Sequence, residues 1–141
     1  MNNIFEQLFQ YGFHDTEIYS IDGEGLEIRL TFENGIYLLD ENGKETILSK
    51  PMQVVLKINS CFDSFEEAFE IREYEKKVKY LDYLTLKKYL QKDTFGISMV
   101  YYSKFSNCIL FDGGSCKKQI MFSIEGIDEI VIRELKNNKG E

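Results

Sequence analysis

His14 is the only histidine in the 141 residues, and it stands next to a carboxylate in Gly12-Phe13-His14-Asp15. An imidazole beside an aspartate can act as a general base. On an extended strand, however, neighbouring side chains point to opposite faces, so His14 and Asp15 are not expected to pair there. Their expected role is local, with Asp15 accepting backbone N–H bonds and His14 bonding a carbonyl where an opening helix passes into the first strand. The thiols are Cys61, Cys108 and Cys116. A cysteine–histidine nucleophile would need one of them beside His14 with an oxyanion donor, and nothing in their spacing favours that. An odd cysteine count reads as free thiols in a reducing compartment. The interval from Cys108 to Cys116 fits no zinc pattern and one histidine cannot complete a site, so no metal or other cofactor is expected.

Two further motifs invite chemistry. Asp112-Gly113-Gly114-Ser115 has the composition of a phosphate-cradling loop. It follows a strand without opening a helix and lacks a Gly-Lys-Ser/Thr ending, so a hairpin turn is expected. The adjacent acids Asp40-Glu41, Glu66-Glu67 and Asp128-Glu129 do not converge as an acid/base couple and read as solvated surface. The tyrosines offer a candidate interaction surface: Tyr101 and Tyr102 end a strand with aromatics on both faces, and Tyr83 and Tyr89, with Tyr80, lie among lysines. The competing reading is that these rings cover the sheet beneath a helix. Stacking on single-stranded RNA is a third use of such rings.

Charge decides between the last two partners. The chain is net −7, against nucleic-acid binding, where phosphate neutralisation dominates affinity. Residues 1–75 carry 16 acidic and 5 basic side chains, net −11; residues 76–141 carry 8 and 12, net +4. A field so divided either keeps the protein in solution or steers a basic protein towards the N-terminal half. No apolar run approaches the ~20 residues of a membrane span, and the start Met1-Asn2-Asn3-Ile4-Phe5-Glu6 has no basic segment leading into an apolar one. A cytoplasmic protein without membrane contact is expected.

The elements that must position these residues are mostly strands. Ile4, Phe5, Leu8 and Phe9 fall at helical spacing, with Asn2 or Asn3 as cap and Gly12 past the end. Residues 16–21 and 26–33 read as strands, then Asn34-Gly35, then Ile36-Tyr37-Leu38-Leu39. That pattern predicts a two-residue hairpin pairing Glu33 with Ile36 and Phe32 with Tyr37, with Leu26, Ile28, Leu30, Phe32, Tyr37 and Leu39 on the core face. Residues 52–58 alternate again behind Pro51. Segments 95–102, 108–112, 118–125 and 128–133 follow as short strands too closely spaced for crossover helices, hence antiparallel. Residues 63–80 are divided between one helical turn at 64–68 followed by a strand near 69–75, which is preferred, and a single helix over 64–80. Residues 84–91 form a helix with Leu86, Tyr89 and Leu90 inward.

Phe13-His14-Asp15-Thr16-Glu17-Ile18, followed by residues 26–32 and Asn34-Gly35, resembles the N-terminal part of small bacterial β-rich domains of unknown function. These begin with an aromatic-His-Asp-x-x-Ile stretch and a β-meander, and some sit beside polymorphic toxins and are regarded as immunity proteins. The resemblance covers residues 11–58 and brings no catalytic residue with it.

Together these readings predict one α+β domain over residues 3–135 with a fraying tail at 136–141. It would hold eight or nine short antiparallel strands in a bent sheet, sandwich or open barrel, with two short helices. The expected function is non-enzymatic interaction, as an immunity-type inhibitor presenting its acidic N-terminal half to a basic protein. The alternative is a small-molecule binder or minor enzyme with a pocket at His14; a homo-oligomer joined through sheet edges is a third possibility.

Overall fold

A computed structural model of the chain describes residues 3–135. The tail 136–141 and Asn2 as a cap lie outside the described residues. A 3₁₀ turn at Glu6–Leu8 leads to β1 (Tyr11–Gly12), β2 (Glu17–Ile18), β3 (Ser20–Glu24) and β4 (Glu27–Phe32). Then come β5 (Tyr37–Leu39), β6 (Glu45–Leu48) and β7 (Met52–Ile58), followed by a second 3₁₀ turn at Phe65–Ala68. β8 (Phe69–Tyr74) and β9 (Val78–Leu81) precede α1 (Tyr83–Lys92). The chain continues through β10 (Phe95–Ser103), β11 (Cys108–Ser115), β12 (Lys118–Ile124) and β13 (Ile127–Glu134). All pairing is antiparallel, in three sheets ordered β1-β5-β6, β2-β10-β11-β12-β8-β9 and β13-β7-β4-β3.

The α+β expectation of eight or nine strands with two helices is therefore overturned: the described residues form thirteen strands, one α-helix and two 3₁₀ turns, a mostly β protein. The missing helix is the N-terminal one. Asn3 Oδ1 accepts from Phe5 N at 3.0 Å, but the cap position of the turn is Phe5 itself, without a side-chain capping bond; only Phe5 and Leu8 are buried and Phe9 remains 49% exposed. So short an apolar stripe cannot repay helix nucleation, and the chain turns into β1 instead. The uncounted strands are two residues long or, like β6 and β9, exposed at nearly every position, so none shows a period of two. No helix among the described residues is long and apolar enough to cross a membrane.

The Asn34-Gly35 hairpin does not form. Phe32 pairs with Met52 of β7, and Tyr37 pairs with Gly12 and Leu48. A type I′ turn needs positive φ at both central residues and a type II′ turn at the first, whereas here only the second, Gly35, has it, at 80°. Gly35 N instead donates to Phe32 O at 3.0 Å, which splays the chain out of the four-stranded sheet. Ile36 is then driven into the core and pinned by Ser49, whose Oγ accepts from Ile36 N at 3.0 Å and whose amide donates to Ile36 O at 2.8 Å. The core face of β4 is as expected, with Ile28, Leu30 and Phe32 buried.

Asp112-Gly113-Gly114-Ser115 is likewise not a turn but the end of β11. The turn is Cys116-Lys117, both at positive φ (54° and 62°), between the paired residues Ser115 and Lys118. Two non-glycine residues there cost on the order of 1 kcal/mol each. Asp93, just past α1, offsets this by accepting from Cys116 N at 2.9 Å. Gly113 serves close approach: a methyl group on it would overlap the Gly96 carbonyl of β10.

Residues 63–92 follow the preferred reading of a turn, then a strand, then a helix. Asp82 caps α1, accepting from Thr85 N at 2.9 Å and from the Thr85 hydroxyl at 2.7 Å, and these bonds hold its carboxyl below its ordinary value. α1 packs on β3 and on β8, so it joins the two larger sheets. One core takes side chains from both. Phe122 lies 5.0 Å from the rings of Phe111 and Phe95 and 6.3 Å from Phe69. Gly113→Ala is expected to cost about 3 kcal/mol in urea unfolding by steric overlap. Gly43→Ala, at φ 78° with open space around it, should cost about 1 kcal/mol.

Candidate functional site

The expected His14–Asp15 geometry is corrected by one dihedral. Asp15 is not extended but left-handed, at φ 61°, and this brings its Oδ2 to 3.1 Å from His14 Nδ1. Both side chains face solvent, 58% and 72% exposed. The tying role assigned to them falls to Thr16, whose amide and hydroxyl return to Phe13 O at 3.0 and 2.5 Å. The turn is stitched to β10 by Asp15 N donating to Ile97 O at 2.9 Å and Ile97 N donating to Thr16 O at 2.8 Å.

Just beyond that stitch the edge of β10 opens. β2 pairs only with Phe95 and Gly96, and the register shifts between Ile97 and Met99. From there to Ser103 the registered partners of β10 all lie on β11. Beside this edge runs a groove of about 350 Å³. Tyr11, Gly12, Phe13 and His14 form one wall, Met99, Val100 and Tyr102 the other, and Leu39, Gly43 and Glu45 of the β5–β6 hairpin close it. Phe13 is anchored beneath by the Phe32 ring at 5.6 Å. Gly12 admits the Glu45 carboxylate, which would lie 3.1 Å from any Cβ there.

None of the three thiols lines this groove. Cys61 is exposed, burial pushes the Cys108 thiol up, and the Cys116 thiol donates to Tyr89 O at 3.5 Å. No group of three or more His, Cys, Asp or Glu among the described residues is arranged to hold a metal. What the groove presents is an apolar floor, a carboxylate rim and a strand edge.

The four candidate tyrosines separate. Tyr83 is buried, its hydroxyl donating to Ile21 O of β3 at 2.8 Å, and burial pushes its phenol up. Tyr102 packs under Phe5 and Phe9, at 5.2 and 5.5 Å, and burial raises its phenol too. Tyr89 donates to Glu73 Oε1 at 2.6 Å, and that bond, with burial added, raises it. Tyr101 alone is on the surface, 52% exposed. Sequence reasoning missed two of its companions: Met99 and Val78 are exposed, with Tyr80, on the same outer side of the six-stranded sheet. It also missed Glu73, a buried carboxylate held by Tyr89 and by Lys118 Nζ at 3.7 Å. The signal was present, since Phe69, Ile71 and Glu73 share one face of a strand.

Comparison with protein-family models, curated proteins and solved structures finds no match to this chain. The geometry must carry the functional argument alone.

Tyr89→Phe leaves the buried Glu73 one donor short and is expected to cost about 1–3 kcal/mol in urea unfolding. Glu73→Gln, which keeps an acceptor for Tyr89, should cost less. A pH effect follows from Lys118, whose Nζ is 2.6 Å from Glu75 Oε1; the bond lowers the Glu75 carboxyl below its ordinary 4.5 and raises the Lys118 ammonium. A lowered carboxyl contributes stability that is present above pH 4.5 and lost as pH falls through its folded-state value. Thermal melts from pH 7 to pH 3 should therefore show a shallower acid decline in Lys118→Met than in the parent.

Proposed function

We propose that the protein is a non-catalytic binding protein that receives a basic protein on its acidic N-terminal half, as an immunity-type inhibitor does. One observation carries this reading. Asp15, Glu17, Asp40, Glu41 and Glu45 gather on β2, the β5–β6 hairpin and the turn beside β10, with Lys44 the one lysine in those segments. Apart from the contact of Asp15 with His14, these carboxylates enter no ion pair among the described residues. Three basic residues of the neighbouring elements are engaged elsewhere: Arg29 and Lys57 hold Glu27, and Lys87 holds Asp22.

Unpaired surface carboxylates of one sign raise encounter rates with a cation-bearing partner and repel acidic competitors. Contact area is at hand beside them, because Ile47 and Leu48 of β6 are exposed next to Glu45.

The test begins with the partner recovered on the tagged, full-length protein from its native cell. Its association rate, followed by stopped flow, is expected to fall about tenfold between about 50 and 500 mM salt. Glu41→Lys with Glu45→Lys should slow association by a similar factor while changing dissociation less. An association rate indifferent to salt and to both substitutions overturns the reading.

A further inference from the structure

We propose that the basic partner engages by adding an extended strand to the open edge of β10, in the groove beside the β5–β6 hairpin. This rests on the reading of the acidic half as a receptor for a basic protein and names how that partner is held.

The argument starts from how the protein treats its sheet edges. An exposed edge strand offers unpaired N–H and C=O groups to any passing chain, and proteins blunt such edges with lysine, cover or competing bonds. The edge strand β9 carries Lys79 and follows Lys76 and Lys77. At β3, α1 packs against the edge strand, and at β13 the Gln7 amide donates to Ile130 O at 2.5 Å. β10 is the exception among the larger sheets. Its residues 98–103 are Ser-Met-Val-Tyr-Tyr-Ser, without a charge, and no backbone bond among the described residues joins them to anything but β11.

Six residues of strand present an edge of about 20 Å, on which alternate residues turn both peptide groups outward. The groove keeps open the space in which a pairing chain would lie, and Met99 and Val100 give its alternate side chains an apolar seat. Charge selects the occupant. The hairpin that closes the groove bears Glu45 and leads to Asp40 and Glu41, so an incoming strand of alternating basic and β-branched residues meets carboxylates there and apolar surface along β10. An acidic strand would be repelled. A second copy of this chain would bring its own acidic hairpin against the first.

The experiment uses the full-length, isotopically labelled protein and four probes. These are a Lys-Val octapeptide of alternating sequence, the same peptide N-methylated at alternate residues, its Glu-Val counterpart, and octalysine. Affinity is measured by calorimetry and amide exchange by NMR. The Lys-Val peptide is expected to bind and to slow exchange at amides within residues 98–103, with affinity reduced about tenfold by N-methylation and absent for the Glu-Val peptide. Equal binding of octalysine, the Lys-Val peptide and its N-methylated form, without protection at 98–103, overturns strand addition and leaves the acidic-receptor reading standing. Failure of both octalysine and the Lys-Val peptide to bind overturns the proposal and that reading together. A dimer in light scattering, with residues 98–103 already protected in the free protein, assigns the edge to a second copy and likewise overturns it.

Discussion

Phe122 sits where four strands of one sheet meet, and its ring touches those of Phe95, Phe111 and Phe69 from three other strands. From Phe69 the contact passes to Tyr83 on the helix, at 5.3 Å, and from Tyr83 to Phe65 in the second 3₁₀ turn, at 5.0 Å. Phe65 lies over Gly23 of β3, and the Tyr83 hydroxyl bonds to β3 as well. The two larger sheets are thus joined through one train of rings, each worth several kcal/mol if truncated. The edge-to-face contacts, Phe95 with Phe122 and Phe65 with Tyr83, fix orientation as well as distance, and the train as a whole ties the helix to β3 and β8.

A core so completely filled by rings and aliphatic chains leaves recognition to the margin. The polar groups drawn inside are spent on structure: Glu73 is held by Tyr89 and Lys118, and Tyr83 is tied to a carbonyl. Thr16 closes a turn. For the partner proposed above there remain the acidic hairpin, the uncharged edge of β10 and the outer side of the six-stranded sheet, where Met99, Tyr101, Val78 and Tyr80 are exposed. The first two adjoin each other across one groove.

How much of this could be read from residues alone depended on the range of the deciding contact. Residues 28, 30 and 32 and the strand at 52–58 announce themselves by alternation, and Leu86 and Leu90 mark a helical face, because one buried side produces a local period. Asp82 and Thr85 supply a cap within one turn. The partner of Tyr37, by contrast, is chosen by Gly12 and Leu48, and the splayed turn before it by Ser49, so the Asn-Gly signal was outvoted from a distance. Glycine composition at 112–114 does not distinguish a turn from a close backbone crossing; only the arrival of Gly96 decides. The pairing of His14 with Asp15 turned on a single left-handed residue, a conformation aspartate tolerates better than most. The open edge of β10 had no local signature whatever, since being an edge is a property of strand order.

Strand order has one more consequence, in β13. Its place is beside β7, a strand whose Met52, Val54, Leu56 and Ile58 are buried and whose other flank belongs to β4. On the ribosome, β7 emerges some seventy residues ahead of the neighbour that must cover it. A nascent chain therefore carries a bare strand edge until β13 is made, and a message cut short before residue 127 would release it permanently. Quality control in the cell would meet such a chain as a clumping hazard, cured only by finishing β13.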